Sequence, residues 1–77
     1  MSVQNRILDV LYHNGPLDGS QIIAHTLTGE KDFLTAIRML HAVGAVRRAV
    51  EEEFGRGKHV EENELLHVWD VVPEGDR

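Results

Sequence analysis

The sequence predicts a small α+β fold in which three helices are followed by a two-stranded antiparallel β-hairpin. Up to position 43, apolar residues recur at helical spacing in three segments, and a glycine follows each segment. After Gly44 the pattern becomes extended, and two apolar segments lie on either side of a charged stretch that contains glycine. These two observations place all the helices before the hairpin.

Length and composition indicate one domain. The chain has 77 residues, of which 42% are hydrophobic, and no cysteine, so disulfides and thiolate metal sites are excluded. We expect one domain over residues 1–72 and a polar tail over residues 73–77. The chain has no apolar run of the roughly 20 residues that cross a bilayer, and it begins with polar residues where a signal peptide has an apolar block. The expected location is therefore cytoplasmic, with no membrane partner.

Helix start and stop signals delimit the first two helices. The first is predicted from Val3 to His13, with Ser2 as its N-cap and an apolar stripe that includes Ile7 and Leu11. The second is predicted from Gly19 to Leu27, with Asp18 as its N-cap and Gln21 in the capping-box position. We expect its buried side to consist of Ile22, Ile23 and Leu27.

The third helix and the hairpin complete the predicted fold. The helix is expected from Glu30 to Val43, with acidic residues in its first turn that suit the helix dipole. Gly44 ends it, and the strands are expected over residues 45–50 and 65–72.

The stretch Ile37–Arg48 (IRMLHAVGAVRR) resembles the end of a recognition helix and the start of a wing strand. The segment Gln21-Ile22-Ile23-Ala24 resembles the preceding helix of the same family, in which Ala24 would allow close helix packing. The chain is therefore similar to winged helix-turn-helix DNA-binding domains of small bacterial and phage transcriptional regulators. The resemblance covers nearly the whole chain and implies a double-stranded DNA partner.

Two features of the chain depart from that family. The turn after the second helix is about one residue shorter than the common form, and the predicted wing has acidic flanks. The net charge is −5, and residues 51–64 carry six glutamates against two basic residues. Residues 30–50 carry four basic residues against two acidic ones. Phosphate contacts supply much of the affinity of a DNA-binding protein, so the basic middle of the chain is the expected contact region.

One face of the third helix provides the candidate base contacts. Helical spacing puts Lys31, Thr35 and Arg38 on the side opposite Phe33, Ile37 and Leu40. Lys and Arg donate to guanine, and Thr bonds bases or contacts a thymine methyl. The alternative is that this stripe is an ordinary solvated helix face.

Further DNA contacts are predicted in the wing. Arg47 and Arg48 begin the first wing strand, and alternation sends one to each face, so only one can share the surface of the third helix. Arg47 is taken as that candidate, and the other arginine is expected to pair with a wing glutamate. Arg56 and Lys58 lie at the glycine-rich wing tip, where a wing would contact the DNA backbone. The alternative for the tip is a solvated hairpin turn.

The sequence gives no sign of an enzyme. The five histidines have no recognisable zinc spacing, and no serine or threonine has a partner arrangement for nucleophilic catalysis. We therefore expect no catalytic residue, no metal and no cofactor.

A second interpretation keeps the fold but makes the partner a protein. The acidic wing flanks, Phe54 at the wing tip and the strand around Trp69 motivate it. Both faces of that strand are largely apolar. We expect Trp69 in the core, while the other face of the strand is a candidate docking site or homodimer contact.

Overall fold

The described part of the chain contains three α-helices, three short β-strands and one turn of 3₁₀ helix. The computed structural model describes residues 2–49, 64–73 and 75. The elements in chain order are α1 (Val3–Asn14), β1 (Leu17–Asp18), α2 (Gly19–Thr26), α3 (Glu30–Ala42), β2 (Val46–Arg48), the 3₁₀ turn (Glu64–Leu66) and β3 (Val68–Val71). The α+β class is confirmed, and each helix boundary lies within one residue of its prediction. No helix in this part of the chain is long and apolar enough to cross a membrane.

The predicted N-caps of α1 and α2 are confirmed. The Ser2 hydroxyl accepts a hydrogen bond from the amide of Asn5 at 3.1 Å. Asp18 Oδ1 accepts from the amide of Gln21 at 2.8 Å, and Gln21 Oε1 accepts from the amide of Asp18 at 3.1 Å. This reciprocal capping box satisfies donors that a helix start would leave unpaired, and it begins α2 at a defined residue.

The core lies where the three helices meet the sheet. Phe33 and Ile7 are fully buried, and the predicted buried stripe of α3 is confirmed. Two predictions for α2 are wrong: Leu27 is 88% exposed, and Ala24 is exposed rather than at a helix contact. α2 ends at Thr26, and Leu27 takes φ 57°, so the helical period no longer directs its side chain inward.

The described residues form a sheet of three strands, where the sequence predicts two. Its order is β1-β3-β2, with antiparallel pairs throughout. Leu17 and Asp18 of β1 pair with Trp69 and Val68. Two residues are too few for a periodic signal, so sequence reasoning missed β1. Since β3 is the central strand of the described sheet, both of its backbone edges are paired.

The last strand begins later than predicted. Residues 65 and 66 belong to the 3₁₀ turn, which packs against α2, and β3 starts at Val68. The Leu65 carbonyl accepts from the Ser20 hydroxyl at 3.5 Å, and the His67 carbonyl accepts from the Gly19 amide at 3.2 Å. This segment therefore bonds to the start of α2 before it joins the sheet.

A tight backbone turn links α3 to β2. Gly44 has φ 79°. Its amide donates to the His41 carbonyl at 3.1 Å, and the Ala45 amide donates to the Leu40 carbonyl at 2.9 Å. These two bonds form a Schellman motif, and the buried Leu40 and Ala45 supply its apolar contact. The predicted role of Gly44 as the end of the helix is confirmed.

Replacing Gly44 with alanine should lower the free energy of unfolding by about 1 kcal/mol. No atom of the described residues lies within 4 Å of an added Cβ, so we expect the cost to arise from the backbone conformation. Urea unfolding followed by circular dichroism would measure it. Gly44→Asn is the matched variant and should cost less, because asparagine tolerates this conformation better than alanine. A Gly44→Ala protein as stable as the parent would contradict the assignment.

Candidate nucleic-acid interface

The outward face of α3 carries the predicted contact stripe. Lys31, Thr35 and Arg38 are exposed, and Phe33 and Ile37 on the opposite side are buried. Lys31, Thr35 and Arg38 line a shallow surface depression of about 400 Å³, together with Glu30 and Leu34. The structure thus brings together the three predicted residues of this helix on one accessible surface.

Acidic side chains lie at the start of the same helix. Glu30 and Asp32 are exposed in the first turn of α3. There they interact favourably with the positive end of the helix dipole. They also reduce the positive potential beside Lys31, so the C-terminal part of the stripe, around Arg38, is its more cationic part.

The arginine on the α3 side of the sheet is Arg48. The sequence-based prediction that Arg47 shares the surface of the third helix is therefore corrected. Directly opposed residues of an antiparallel pair share a face. Arg48 is opposite Trp69, whose ring lies 5.2 Å from the ring of His41 on α3. Arg47 is opposite Asp70 and forms an ion pair with it at 3.3 Å. Arg47 therefore lies on the other face, and its partner is Asp70 rather than a wing glutamate.

Arg48 also contacts a histidine that sequence reasoning did not single out. Its Nη2 lies 2.6 Å from Nδ1 of His67. A guanidinium only donates, so Nδ1 of His67 is the acceptor in this contact. His67 is 9% exposed. No motif in the sequence indicates this pair, because it depends on how β2 and the residue before β3 align.

Arg48 and Arg38 line a common cleft between α3 and the sheet. The cleft has a volume of about 230 Å³, and His41, His67 and Trp69 also contribute to its walls. Thus a β2 arginine extends the cationic surface that begins on α3. In the sequence, the adjacent Arg47 and Arg48 indicate a basic residue at this position. The pair alone does not show which of the two lies beside α3.

The predicted wing-tip contacts, Arg56 and Lys58, lie outside the described residues, as does Phe54. Trp69 is 7% exposed, which confirms it as a core residue. The role of the other face of this strand as a docking site or homodimer contact stays a prediction.

No group of three or more potential metal-ligating side chains occurs in residues 2–49, 64–73 and 75. Comparisons of the chain with protein-family models, with curated proteins and with solved structures find no match.

Proposed function

We propose that this chain is a winged helix-turn-helix protein that binds double-stranded DNA and regulates transcription. The order of three helices and three antiparallel strands is compatible with that fold. In this proposal α2 and α3 form the helix-turn-helix, and α3 enters the major groove. The strands β2 and β3 form the base of the wing.

The observation that carries the proposal is the exposed stripe of Lys31, Thr35 and Arg38, with Arg48 beside its C-terminal part. Arg38 and Lys31 suit guanine acceptors, and Thr35 suits a thymine methyl or a base edge. Each well-formed bidentate contact contributes about 1–3 kcal/mol of base discrimination. Arg48 suits a backbone phosphate next to the groove.

The charge of −5 has a consequence for affinity. Few cations per copy mean few phosphate contacts, and each contact adds to the salt dependence of binding. We therefore propose that two copies bind together on paired half-sites. The logarithm of the binding constant per copy should then fall less steeply with the logarithm of the salt concentration than it does for a strongly basic regulator.

Selection from a randomised duplex library at low salt should enrich a preferred site. On that site, Arg38→Ala should weaken binding about tenfold, or about 1.4 kcal/mol, and should relax the base preference at one position. Fluorescence anisotropy with labelled duplex would measure both effects.

Arg47→Ala is the matched control, because it removes the same charge from the opposite face of the sheet. It should weaken binding less than Arg48→Ala. The proposal fails if no sequence is enriched and duplex DNA shifts no amide resonance of α3.

A protein-interaction module is the second candidate function, in which this domain is an adaptor or inhibitor. Among the residues that the structure describes, four large apolar side chains are exposed by half or more: Tyr12, Leu27, Met39 and Val43. Met39 and Val43 lie at the C-terminal end of α3, close to the proposed DNA surface. Together with the acidic composition, they favour a basic protein partner.

Photo-crosslinking distinguishes the two functions. A benzoylphenylalanine at Thr35 should capture duplex DNA if α3 binds the major groove. The same group at Val43 should capture a protein if the second function holds. Exclusive protein capture at both positions would count against DNA as the partner.

A further inference from the structure

The cleft between α3 and the sheet combines an apolar floor with a cationic rim. Leu34, Ile37 and Trp69 form the floor. Ile37 is 2% exposed and Trp69 is 7% exposed. Arg38, His41 and Arg48 are the exposed residues that line the cleft, and they form its rim. Such a pairing of apolar surface with a few polar groups is typical of small-molecule sites.

The indole of Trp69 adds an unusual feature. Its Nε1 is buried and has no hydrogen-bond acceptor among the described residues. A buried donor without a partner costs about 1–3 kcal/mol, and buried tryptophans ordinarily have an acceptor. Because Nε1 itself is buried, a ligand in the cleft would contact the accessible part of the indole ring and not this donor.

We propose that the cleft binds a small organic carboxylate with a flat apolar body. The carboxylate would accept hydrogen bonds from Arg38 and Arg48, because a planar guanidinium can donate two parallel N–H bonds to a carboxylate. A guanidinium has five N–H donors, so Arg38 and Arg48 can each bind a carboxylate while they keep their other contacts, which for Arg48 include His67. The flat body would pack on Leu34, Ile37 and the Trp69 ring.

Size and polarity define the ligand class. A volume of about 230 Å³ is below the roughly 300–1,000 Å³ of sites for drug-sized ligands, so the ligand is a small one. His41 already packs edge-to-face on Trp69, with an interplanar angle of 72°, and a flat ring suits such a wall. A backbone phosphate could pair with the arginines but would not cover the apolar residues of the cleft.

Carboxylate binding would also regulate DNA binding. Arg38 belongs both to the cleft and to the proposed DNA surface. A bound carboxylate would therefore compete with DNA for that side chain. This regulatory effect rests on the proposed function, whereas carboxylate binding itself does not.

The test is a titration of the full chain with benzoate in the absence of DNA. Trp69 is the only tryptophan of the chain, so its single indole N–H resonance in ¹⁵N-labelled protein reports directly on the cleft. The resonance should shift saturably with benzoate. Arg48→Gln and Arg38→Gln should each weaken binding at least tenfold. Arg47→Gln removes the same charge outside the cleft and should leave the affinity within twofold of the parent value.

Two further probes determine the ligand class. Benzamide has the same ring without the charge, and inorganic phosphate has charge without a ring. Both should bind at least tenfold more weakly than benzoate. The proposal is overturned if benzoate gives no saturable shift, if Arg47→Gln weakens binding as much as Arg48→Gln, or if benzamide or phosphate equals benzoate.

Discussion

Replacing Phe33 with alanine is expected to lower the free energy of unfolding by about 3–5 kcal/mol. Phe33 is completely buried in the core, where α3 packs against α1 and α2. Truncation removes buried apolar surface and leaves a cavity beneath the helix that carries the proposed DNA contacts. Small domains have roughly 5–15 kcal/mol of total stability, so a large part of it would be lost.

Chemical denaturation would measure this loss, with far-UV circular dichroism as the signal. Tyr12→Ala is the control, because it removes an aromatic ring from α1 that is 77% exposed. It should change the free energy of unfolding by no more than about 0.5 kcal/mol. Equal losses for the two variants would mean that the core does not lie where the structure has it.

Replacing Gly19 with alanine is expected to cost about 1–3 kcal/mol, although alanine normally stabilises a helix relative to glycine. An added Cβ would lie 3.0 Å from the Leu65 carbonyl oxygen and 3.0 Å from Cε2 of Phe33. The first neighbour is backbone and the second is a fully buried ring. Neither can move without disturbing the packing of the 3₁₀ turn or the core.

Ser20→Ala gives the matched control in the same turn of α2. Ser20 is exposed, and its hydroxyl makes a long contact of 3.5 Å to the Leu65 carbonyl. This variant should be within about 0.5 kcal/mol of the parent. The sign of the change in the free energy of unfolding tests the packing at Gly19. A Gly19→Ala protein more stable than the parent would rule out the close approach of α2 and residue 65.

A double-mutant cycle would attribute the Gly19 effect to its neighbours. Phe33→Leu shortens the side chain that meets the added Cβ, so the double variant should lose less stability than the two single losses combined. The part of the Gly19→Ala loss that persists in the Phe33→Leu background would come from the Leu65 carbonyl, because no side-chain substitution removes that group.

Local chemistry explains which parts of the fold could be predicted from the sequence. The Asp18–Gln21 capping box and the Gly44 turn are formed by residues close together in the chain, and both are confirmed. The buried and exposed faces of α3 follow from its 3.6-residue period. The prediction for Leu27 is wrong because the helical period ends at Thr26, one residue before it.

The remaining features depend on contacts between distant segments. Only the register of β2 against β3 puts Arg48 on the α3 side and Arg47 opposite Asp70. β1 exists as a strand because Leu17 and Asp18 meet β3, and their own residue types predict nothing of it. The α3 stripe could therefore be predicted from sequence, whereas the cleft beside it could not.

The central position of β3 has a consequence for biosynthesis. In the described sheet β1 and β2 bond only to β3 and not to each other, and β3 is the last of the three strands to leave the ribosome. The helices can form as they emerge, but no ladder of the sheet can close before residues 68–71 are available. Leu17 and Trp69 must then meet from near opposite ends of the chain, a long-range pairing that slows folding. We therefore expect nascent chains that stop before residue 68 to expose the sheet-facing core and to depend on chaperones.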